Sequence, residues 1–233
     1  MTLREVRRYS RRLGNLARSK RKSAAFIVYL VLFHAFWMGA YVFGIYPWMR
    51  SLGEGTFRYA LINLSIRLMV WVLPVFIYLR YVDAVNPVEY LKLKHNWSRG
   101  VIIGLALSLL NLFGSMIRFG WPHFGLHSFT WNSLFGTSIL IGFIEEVPYR
   151  GFMLQKFAEY YGFWVAAIIT SVLFLGIHLP GWISLHLLNV GTTISVFVFG
   201  FVMAVVLRYS KSLWAPIITH STNDFFAFVL FHR

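Results

Sequence analysis

The sequence predicts an all-α membrane protein, a polytopic bundle of about seven transmembrane helices. Three observations support this prediction. Apolar residues make up 58% of the 233 residues, above the usual fraction in soluble domains. Apolar runs of about 20 residues recur along the chain, and this is the length that a helix needs to cross a bilayer. Positive charge is concentrated directly ahead of the first of these runs.

Seven segments have the length and composition of membrane spans. If the N-terminus lies in the cytoplasm, most Lys and Arg fall on the inner side, and two outer loops, 119–131 and 180–189, contain neither residue. This bias follows the positive-inside rule and predicts a cytoplasmic N-terminus. The predicted spans are Ala24–Tyr46, Tyr59–Tyr81, Gly100–Arg118, Asn132–Leu154, Phe163–Leu179, Val190–Leu207 and Leu213–Phe231.

The N-terminal 23 residues form a basic tail. Nine of the 22 Lys and Arg precede Ser23, and the formal net charge of the chain is +14. A basic run directly before an apolar span orients that span, and it can also contact anionic headgroups, so the expected partner is the lipid bilayer and not nucleic acid. We expect residues 1–23 to be a cytoplasmic tail with a retained signal anchor behind it. Residues 24–233 are then one membrane-embedded domain.

Two further features have ordinary structural explanations. The loop 82–99 contains NPVEYLKL, which suits either a short amphipathic helix on the inner leaflet or a plain loop. Gly100 and Gly104 form a G-x-x-x-G pattern, which close helix packing explains. The chain has no cysteine, which excludes disulfides, thiolate metal sites and cysteine nucleophiles.

Ionisable residues inside the predicted spans indicate where the chemistry lies. Three of the eight acidic residues, Glu145, Glu146 and Asp224, fall within spans. An unpaired charge at the bilayer centre costs at least about 2.5–3.5 kcal/mol, so such residues face a partner or a wet cavity. A buried salt-bridge network that joins helices would be one explanation, and a functional site is the other. The available partners are Arg150, His178 and His220.

The fourth span carries two adjacent glutamates in GFIEEVPYRGF. Glu146 and Arg150 are four residues apart, so they share one helix face and can pair. Glu145 is rotated about 100° from Glu146 and stays free to act as a general base. Pro148 removes an amide donor and is expected to kink the helix beside the pair.

The fifth and seventh spans repeat the same spacing. Phe174 and His178 are separated by four residues, as are His220 and Asp224, with Asn223 beside the aspartate. A lone histidine near a span end or one Asp–His pair would be weak evidence of function. Three helices that each place polar groups on one face are stronger evidence, because these faces can converge.

The series of motifs resembles the CAAX-protease and bacteriocin-processing family, also called Abi proteins. That family has E-E-x-x-x-R, then F-x-x-x-H, then H-x-x-x with Asn or Asp last. The similarity extends over a motif-bearing core of about residues 132–231, and the first three spans resemble nothing specific. The matching residues are Glu145-Glu146-Val-Pro-Tyr-Arg150, Phe174-Leu-Gly-Ile-His178 and His220-Ser-Thr-Asn-Asp224.

The resemblance implies an intramembrane endopeptidase of the glutamate type, and we expect it to act without a cofactor. In such an enzyme Glu145 and His178 activate a water molecule, and His220 with Asp224 contacts the oxyanion. The supporting residues Glu146, Arg150 and Phe174 hold the site together.

The residue at position 224 departs from the eukaryotic CAAX enzyme, which has Asn there. An ionised aspartate cannot donate a hydrogen bond. Either Asn223 donates in its place, or Asp224 orients His220.

The resemblance leaves substrate and cellular role open. The substrate is expected to be a membrane-associated protein or peptide, and a short member of this family is expected in a bacterial cell membrane. One alternative is a non-enzymatic immunity or regulatory protein with the same fold. Another is a proton-coupled transporter, although the chain lacks paired broken helices. No closely spaced ligand set such as H-E-x-x-H is present, so no metal site is predicted.

Overall fold

The computed structural model describes residues 3–42, 48–49, 51–122, 129–184 and 186–231. These residues form helices and turns, with no β-strand among them, which confirms the all-α prediction. In chain order the main helices are α1 (Leu3–Val42), α2 (Phe57–Val82), α3 (Pro87–Tyr90), α4 (Trp97–Phe119), α5 (141–161), α6 (Phe163–Gly176), α7 (Leu179–Ser184), α8 (Val190–Ser210) and α9 (214–230). A separate π-helix over Asn132–Gly136, at the start of the fourth predicted span, precedes α5.

Five helices of the described chain are long and apolar enough to cross a membrane, and they match five of the seven predicted spans. They are Arg21–Ala40, Phe57–Val82, Trp97–Phe119, Phe163–Ser184 and Val190–Ser210. The end of the first predicted span, Tyr46, lies outside the described residues. The basic tail is helical from Leu3 and is continuous with this span in a helix of 40 residues.

The fourth and seventh predicted spans correspond to α5 and α9, which carry the ionisable residues. In α5 the residues from Ile144 to Leu154 are all buried, so protein side chains surround this segment. The α-helix ends at Glu146 and continues as a π-helix over Val147–Met153. The predicted irregularity therefore lies where expected, because Pro148 cannot donate to the α-helical ladder.

Four predicted inner segments meet at one end of the bundle. Lys156 after the fourth span lies 2.6 Å from Asp83 Oδ2, and Lys22 of the tail lies 3.3 Å from Asp83 Oδ1. The amide of Leu213 donates to the carbonyl of Lys92 at 3.2 Å. The basic segments predicted to share one membrane face therefore contact each other, and we call this the basic end.

The predicted outer segments meet at the opposite end. The ring of Phe57 lies 5.2 Å from that of Trp131, and the ring of Phe119 lies 6.0 Å from that of Phe231. The alternation of segments between the two ends is what seven crossings would produce. The loop 82–99 contains one helical turn, α3, in place of a longer amphipathic helix.

Helix α9 is held close to α4 by the two glycines of the G-x-x-x-G pattern. A Cβ at Gly104 would lie 2.8 Å from Cβ of Ile218, and one at Gly100 would collide with Ser212. The absence of side chains at both positions lets the two backbones approach, as expected for small residues in membrane helices. This contact fixes the position of α9, and with it the position of His220.

Candidate active site

Glu146 is the buried centre of the candidate site. Its Oε1 accepts hydrogen bonds from Nη1 of Arg150 at 3.0 Å and from Nδ1 of His220 at 2.7 Å. The side chain of Glu146 is 0% exposed and that of Arg150 is 1% exposed. The predicted pairing of Glu146 with Arg150 is confirmed, and the carboxylate also joins α5 to α9.

Aromatic rings and a glycine enclose the Arg150 guanidinium. The guanidinium carbon lies 4.2 Å from the centre of the Phe174 ring and 5.9 Å from that of Tyr149, distances at which cation–π attraction operates. A Cβ at Gly200 of α8 would lie 3.2 Å from Nη2 of Arg150. Gly200 was not among the predicted site residues, because nothing in the sequence distinguishes it from other glycines in apolar spans.

The contact with Glu146 fixes the orientation of the His220 ring. An ionised carboxylate can only accept, so Nδ1 of His220 is the donor to Glu146. The other ring nitrogen, Nε2, faces two further carboxylates, at 3.5 Å from Asp224 Oδ2 and 3.8 Å from Glu145 Oε2. His220 thus lies between a buried structural carboxylate and two carboxylates that border a cavity.

Glu145 lies on the cavity side of α5, as the rotation between the two glutamates predicted. Its Oε1 is 4.0 Å from Nη1 of Arg67, a residue of α2. Arg67 is held by a 3.2 Å hydrogen bond from its Nε to Asn63 Oδ1, and its guanidinium carbon lies 5.5 Å from the Trp37 ring centre. Arg67 of α2 and Glu145 of α5 therefore form an ion pair across the cavity wall.

Arg67 was not among the predicted site residues, although its position in the sequence carries a signal. Arg67 falls inside the predicted second span, where a charged residue is costly and marks a functional site by default. Glu145 and Asp224 were predicted to be site residues because they are charged and lie within spans, and Arg67 shares both properties.

Asp224 is positioned by two amides. Nδ2 of Asn223 donates to Asp224 Oδ1 at 3.1 Å, and Oδ1 of Asn223 accepts from Nδ2 of Asn111 in α4 at 2.9 Å. The second carboxylate oxygen of Asp224 faces His220. This arrangement supports an orienting role for Asp224. The side-chain amide of Asn223 already donates a hydrogen bond to Asp224.

His178 lies just beyond the end of α6 and is half-buried. Its Nδ1 donates to the carbonyl of Phe174 at 2.8 Å, since a carbonyl oxygen can only accept. Nε2 is therefore free to accept a proton when the ring is neutral. Within the described residues, His178 makes no ion pair with Glu145 below 4.0 Å, so the two would have to act through a molecule between them.

A cavity of about 610 Å³ brings these groups together. Glu145, His178, His220 and Asp224 line it, whereas Glu146 and Arg150 do not. Its volume is that of an ordinary ligand pocket and is sufficient for several residues of an extended peptide. Trp182 and Leu187, near the end opposite to the basic end, also contribute to its wall, as do Asn223, Phe199, Arg67 and Trp37.

The described part of the chain contains no group of three or more His, Asp or Glu side chains arranged to hold a metal ion. The cavity offers two carboxylates and two imidazoles, with His220 Nε2 at 3.5 Å from Asp224 and 3.8 Å from Glu145. Chemically, such a set can bind a water molecule, take its proton and donate a hydrogen bond to an oxygen of a substrate.

Comparison with known proteins agrees with the motifs. Residues 127–226 match the Rce1-like family, which is described as type II CAAX prenyl endopeptidase Rce1-like. No curated protein and no solved structure matches this chain. The matched region includes α5, α6, α8 and the His220–Asp224 segment of α9, so it contains the four cavity residues Glu145, His178, His220 and Asp224. The motif-bearing part of this chain therefore carries the signature of the Rce1-like CAAX prenyl endopeptidases, which confirms the resemblance predicted from the three motifs.

Proposed function

We propose that this chain is an intramembrane endopeptidase that hydrolyses a peptide bond of a membrane-associated protein or peptide, with Glu145 as the general base. One observation carries the proposal. Glu145, His178, His220 and Asp224 converge from three segments on the wall of one cavity, while the adjacent Glu146 is buried behind them. The match to a family of prenyl endopeptidases supports the same reaction class.

The first step is attack by water. A water molecule between Glu145 and His178 gives a proton to the Glu145 carboxylate while its oxygen bonds to the carbonyl carbon of the substrate. The carbonyl oxygen becomes an oxyanion, and the Nε2–H of a protonated His220 donates to it. The carboxylates at 3.5 and 3.8 Å from Nε2 stabilise that protonated ring.

The second step breaks the C–N bond. Glu145 returns the proton to the amide nitrogen, which leaves as an amine, and the carbonyl side leaves as a carboxylic acid. Glu146 and Asp224 hold His220 throughout, because one contacts Nδ1 and the other faces Nε2. Neither residue needs to exchange a proton with the substrate.

The proposal includes an orientation in the membrane. Residues 1–23 would form a cytoplasmic tail and residues 24–233 one membrane domain, because the basic segments cluster at one end of the bundle. Reporter fusions after His95 and after Trp121 should report opposite sides of the membrane. Reports from one side only would contradict the span assignment.

The test of function is a comparison of membrane peptides from cells that produce wild type or Glu145→Gln. Wild type should generate new peptide termini that Glu145→Gln does not generate. Glu89→Gln is the matched control, since Glu89 is an exposed glutamate of α3, and it should behave as wild type. Identical termini from wild type and Glu145→Gln at equal protein levels would favour the non-enzymatic immunity or regulatory protein.

A further inference from the structure

A second pocket, of about 530 Å³, lies at the basic end and shares no lining residue with the peptidase cavity. Four of its lining residues are basic, and they come from the loop before α4 and from the end of α8. Leu154, Ala158, Phe163 and Leu207 supply apolar wall. The basic residues are Lys92, His95, Arg208 and Lys211.

The positive charges in this pocket lack acidic partners. Within the described residues, no carboxylate oxygen lies within 4.0 Å of Lys92, Arg208 or Lys211. The acidic residue of the lining, Glu159, is already engaged, because Lys156 lies 3.1 Å away and the Tyr90 hydroxyl donates to it at 2.8 Å. The pocket therefore has an excess of positive charge that a bound anion would neutralise.

The backbone holds the two lysines in place. Lys92 and Lys211 both have φ of 57°, in the left-handed region that most side chains avoid. The segments that carry them are joined by the hydrogen bond from Leu213 N to the carbonyl of Lys92 and by one from Trp214 Nε1 to the carbonyl of Leu93 at 2.8 Å. Burial lowers the pKa of Lys92, and the charge of Lys211 lowers it further.

Exposed aromatic side chains place this pocket at the level of lipid headgroups. Trp97, Trp164, Tyr161 and Tyr209 are each more than half exposed at the same end of the bundle. Tyr and Trp in such positions mark the membrane–water interface. At that depth the abundant anion is the phosphate of a lipid, and the apolar part of the pocket lies beside it.

We propose that this pocket binds a phosphate group, supplied by an anionic glycerophospholipid whose glycerol and first acyl carbons contact Phe163 and Leu207. Lys92, Lys211 and Arg208 bind the phosphate oxygens. A bound lipid would join α8, the loop before α4 and the end of α5, and so it would stabilise the folded bundle.

The test measures the thermal unfolding midpoint of the full chain in nanodiscs. Phosphatidylglycerol mixed into phosphatidylcholine should raise the midpoint of wild type by about 2–4 °C. Lys92→Gln and Lys211→Gln should each lose most of that rise, and neither should lower the midpoint in phosphatidylcholine alone, because each removes a repulsive charge. Lys94→Gln is the matched control, an exposed lysine of the same loop, and it should keep the rise.

Each remaining outcome decides between the proposal and an alternative. An equal rise for wild type, Lys92→Gln and Lys211→Gln would overturn the proposal, since the effect would then belong to general surface charge. A wild-type midpoint that does not rise with phosphatidylglycerol would overturn the proposal as well. Inorganic phosphate added to phosphatidylcholine nanodiscs should have no effect. A rise with inorganic phosphate as large as that with phosphatidylglycerol would assign the pocket to free phosphate and overturn the lipid as its source. Should Lys92→Gln not fold, the exposed Lys211 carries the test.

Discussion

Oε1 of Glu146 lies 2.7 Å from Nδ1 of His220, although the two residues are 74 positions apart in the chain. The same oxygen accepts from Arg150, so one buried carboxylate binds both side chains. Glu145, one residue earlier, borders the cavity, where its Oε2 lies 3.8 Å from the other ring nitrogen of His220. The two adjacent glutamates therefore have different environments, and we expect their substitution to have different consequences.

Breaking the buried pair should destabilise the fold. Glu146→Gln leaves Arg150 without its countercharge, and the free energy of unfolding should fall by about 3–5 kcal/mol, the usual cost of breaking a buried pair. Arg150→Gln should have a similar effect. The double variant should recover part of the loss, because no lone charge remains. Thermal unfolding in detergent measures the stability of all three variants relative to wild type.

An ion pair with one exposed partner gives the control for this experiment. The Lys156 side chain is 8% exposed and also contacts Asp83 at 2.6 Å. Glu159 pairs with Lys156, but its side chain is 46% exposed. Glu159→Gln should cost no more than about 1 kcal/mol, as surface pairs do. Equal losses for Glu146→Gln and Glu159→Gln would contradict the structural role of the buried pair.

Arg67 should contribute to activity through Glu145. Arg67→Gln removes a positive charge 4.0 Å from the proposed base, and activity should fall by about ten- to hundredfold, since one such interaction is worth up to about 4 kcal/mol at an effective dielectric constant of 20. Arg67→Lys should retain part of the activity. Arg80→Gln, an exposed position of the same helix, should retain all of it. Wild-type activity for a folded Arg67→Gln variant would remove Arg67 from the site.

Helical spacing predicted the contacts that lie within one helix. The pair of Glu146 with Arg150 follows from a separation of four residues, and so does the approach of His220 to Asp224 at 3.5 Å. The cavity-facing position of Glu145 follows from its rotation of about 100° relative to Glu146. Residue spacing along a helix was sufficient to predict these features, because each depends only on the local geometry of one helix.

Contacts between helices could not be predicted in this way. The bond of His220 to Glu146 depends on how α9 packs against α5, and glycines of α4 help to set that packing. Straight helices would place His178 and Glu146 at different depths from the basic end. His178 would lie about 24 Å along its helix from Gly162, whereas Glu146 would lie only about 15 Å from Lys156. The structure places His178 in a turn beyond Gly176, where it lines the same cavity as Glu145.

Gly200 should be intolerant of a side chain. A Cβ there would lie 3.2 Å from Arg150 Nη2 and 3.4 Å from Cδ1 of Phe174, and both groups are buried. Gly200→Ala should lower the free energy of unfolding by about 1–3 kcal/mol, as overpacking does. Gly114→Ala is the matched control, since nothing lies within 4 Å of a Cβ at that helical position. That change should be neutral or stabilising by up to about 1 kcal/mol. Similar stability of the two variants would show that Arg150 can move.

Hydrolysis should not depend on a metal ion. A carboxylate that takes the proton of water directly, beside imidazoles that donate, needs no Lewis acid. Purified protein should keep its activity after exhaustive treatment with a strong zinc chelator. Loss of activity on chelation, with recovery on addition of zinc, would change the roles of Glu145, His178 and His220 from acid–base groups to ligands.

In the proposed mechanism Glu145 is the general base, whereas Glu146 stabilises the folded protein. The direct measurement is turnover of an identified substrate peptide by purified Glu145→Gln and Glu146→Gln, with the thermal midpoint of each variant recorded in the same preparation. Glu145→Gln should lower turnover by about 10²–10⁴-fold, the usual contribution of general base catalysis, at a midpoint near that of wild type. Glu146→Gln should lower the midpoint. If Glu145→Gln unfolds the protein while Glu146→Gln stays folded and is merely inactive, the two roles are the reverse of those assigned.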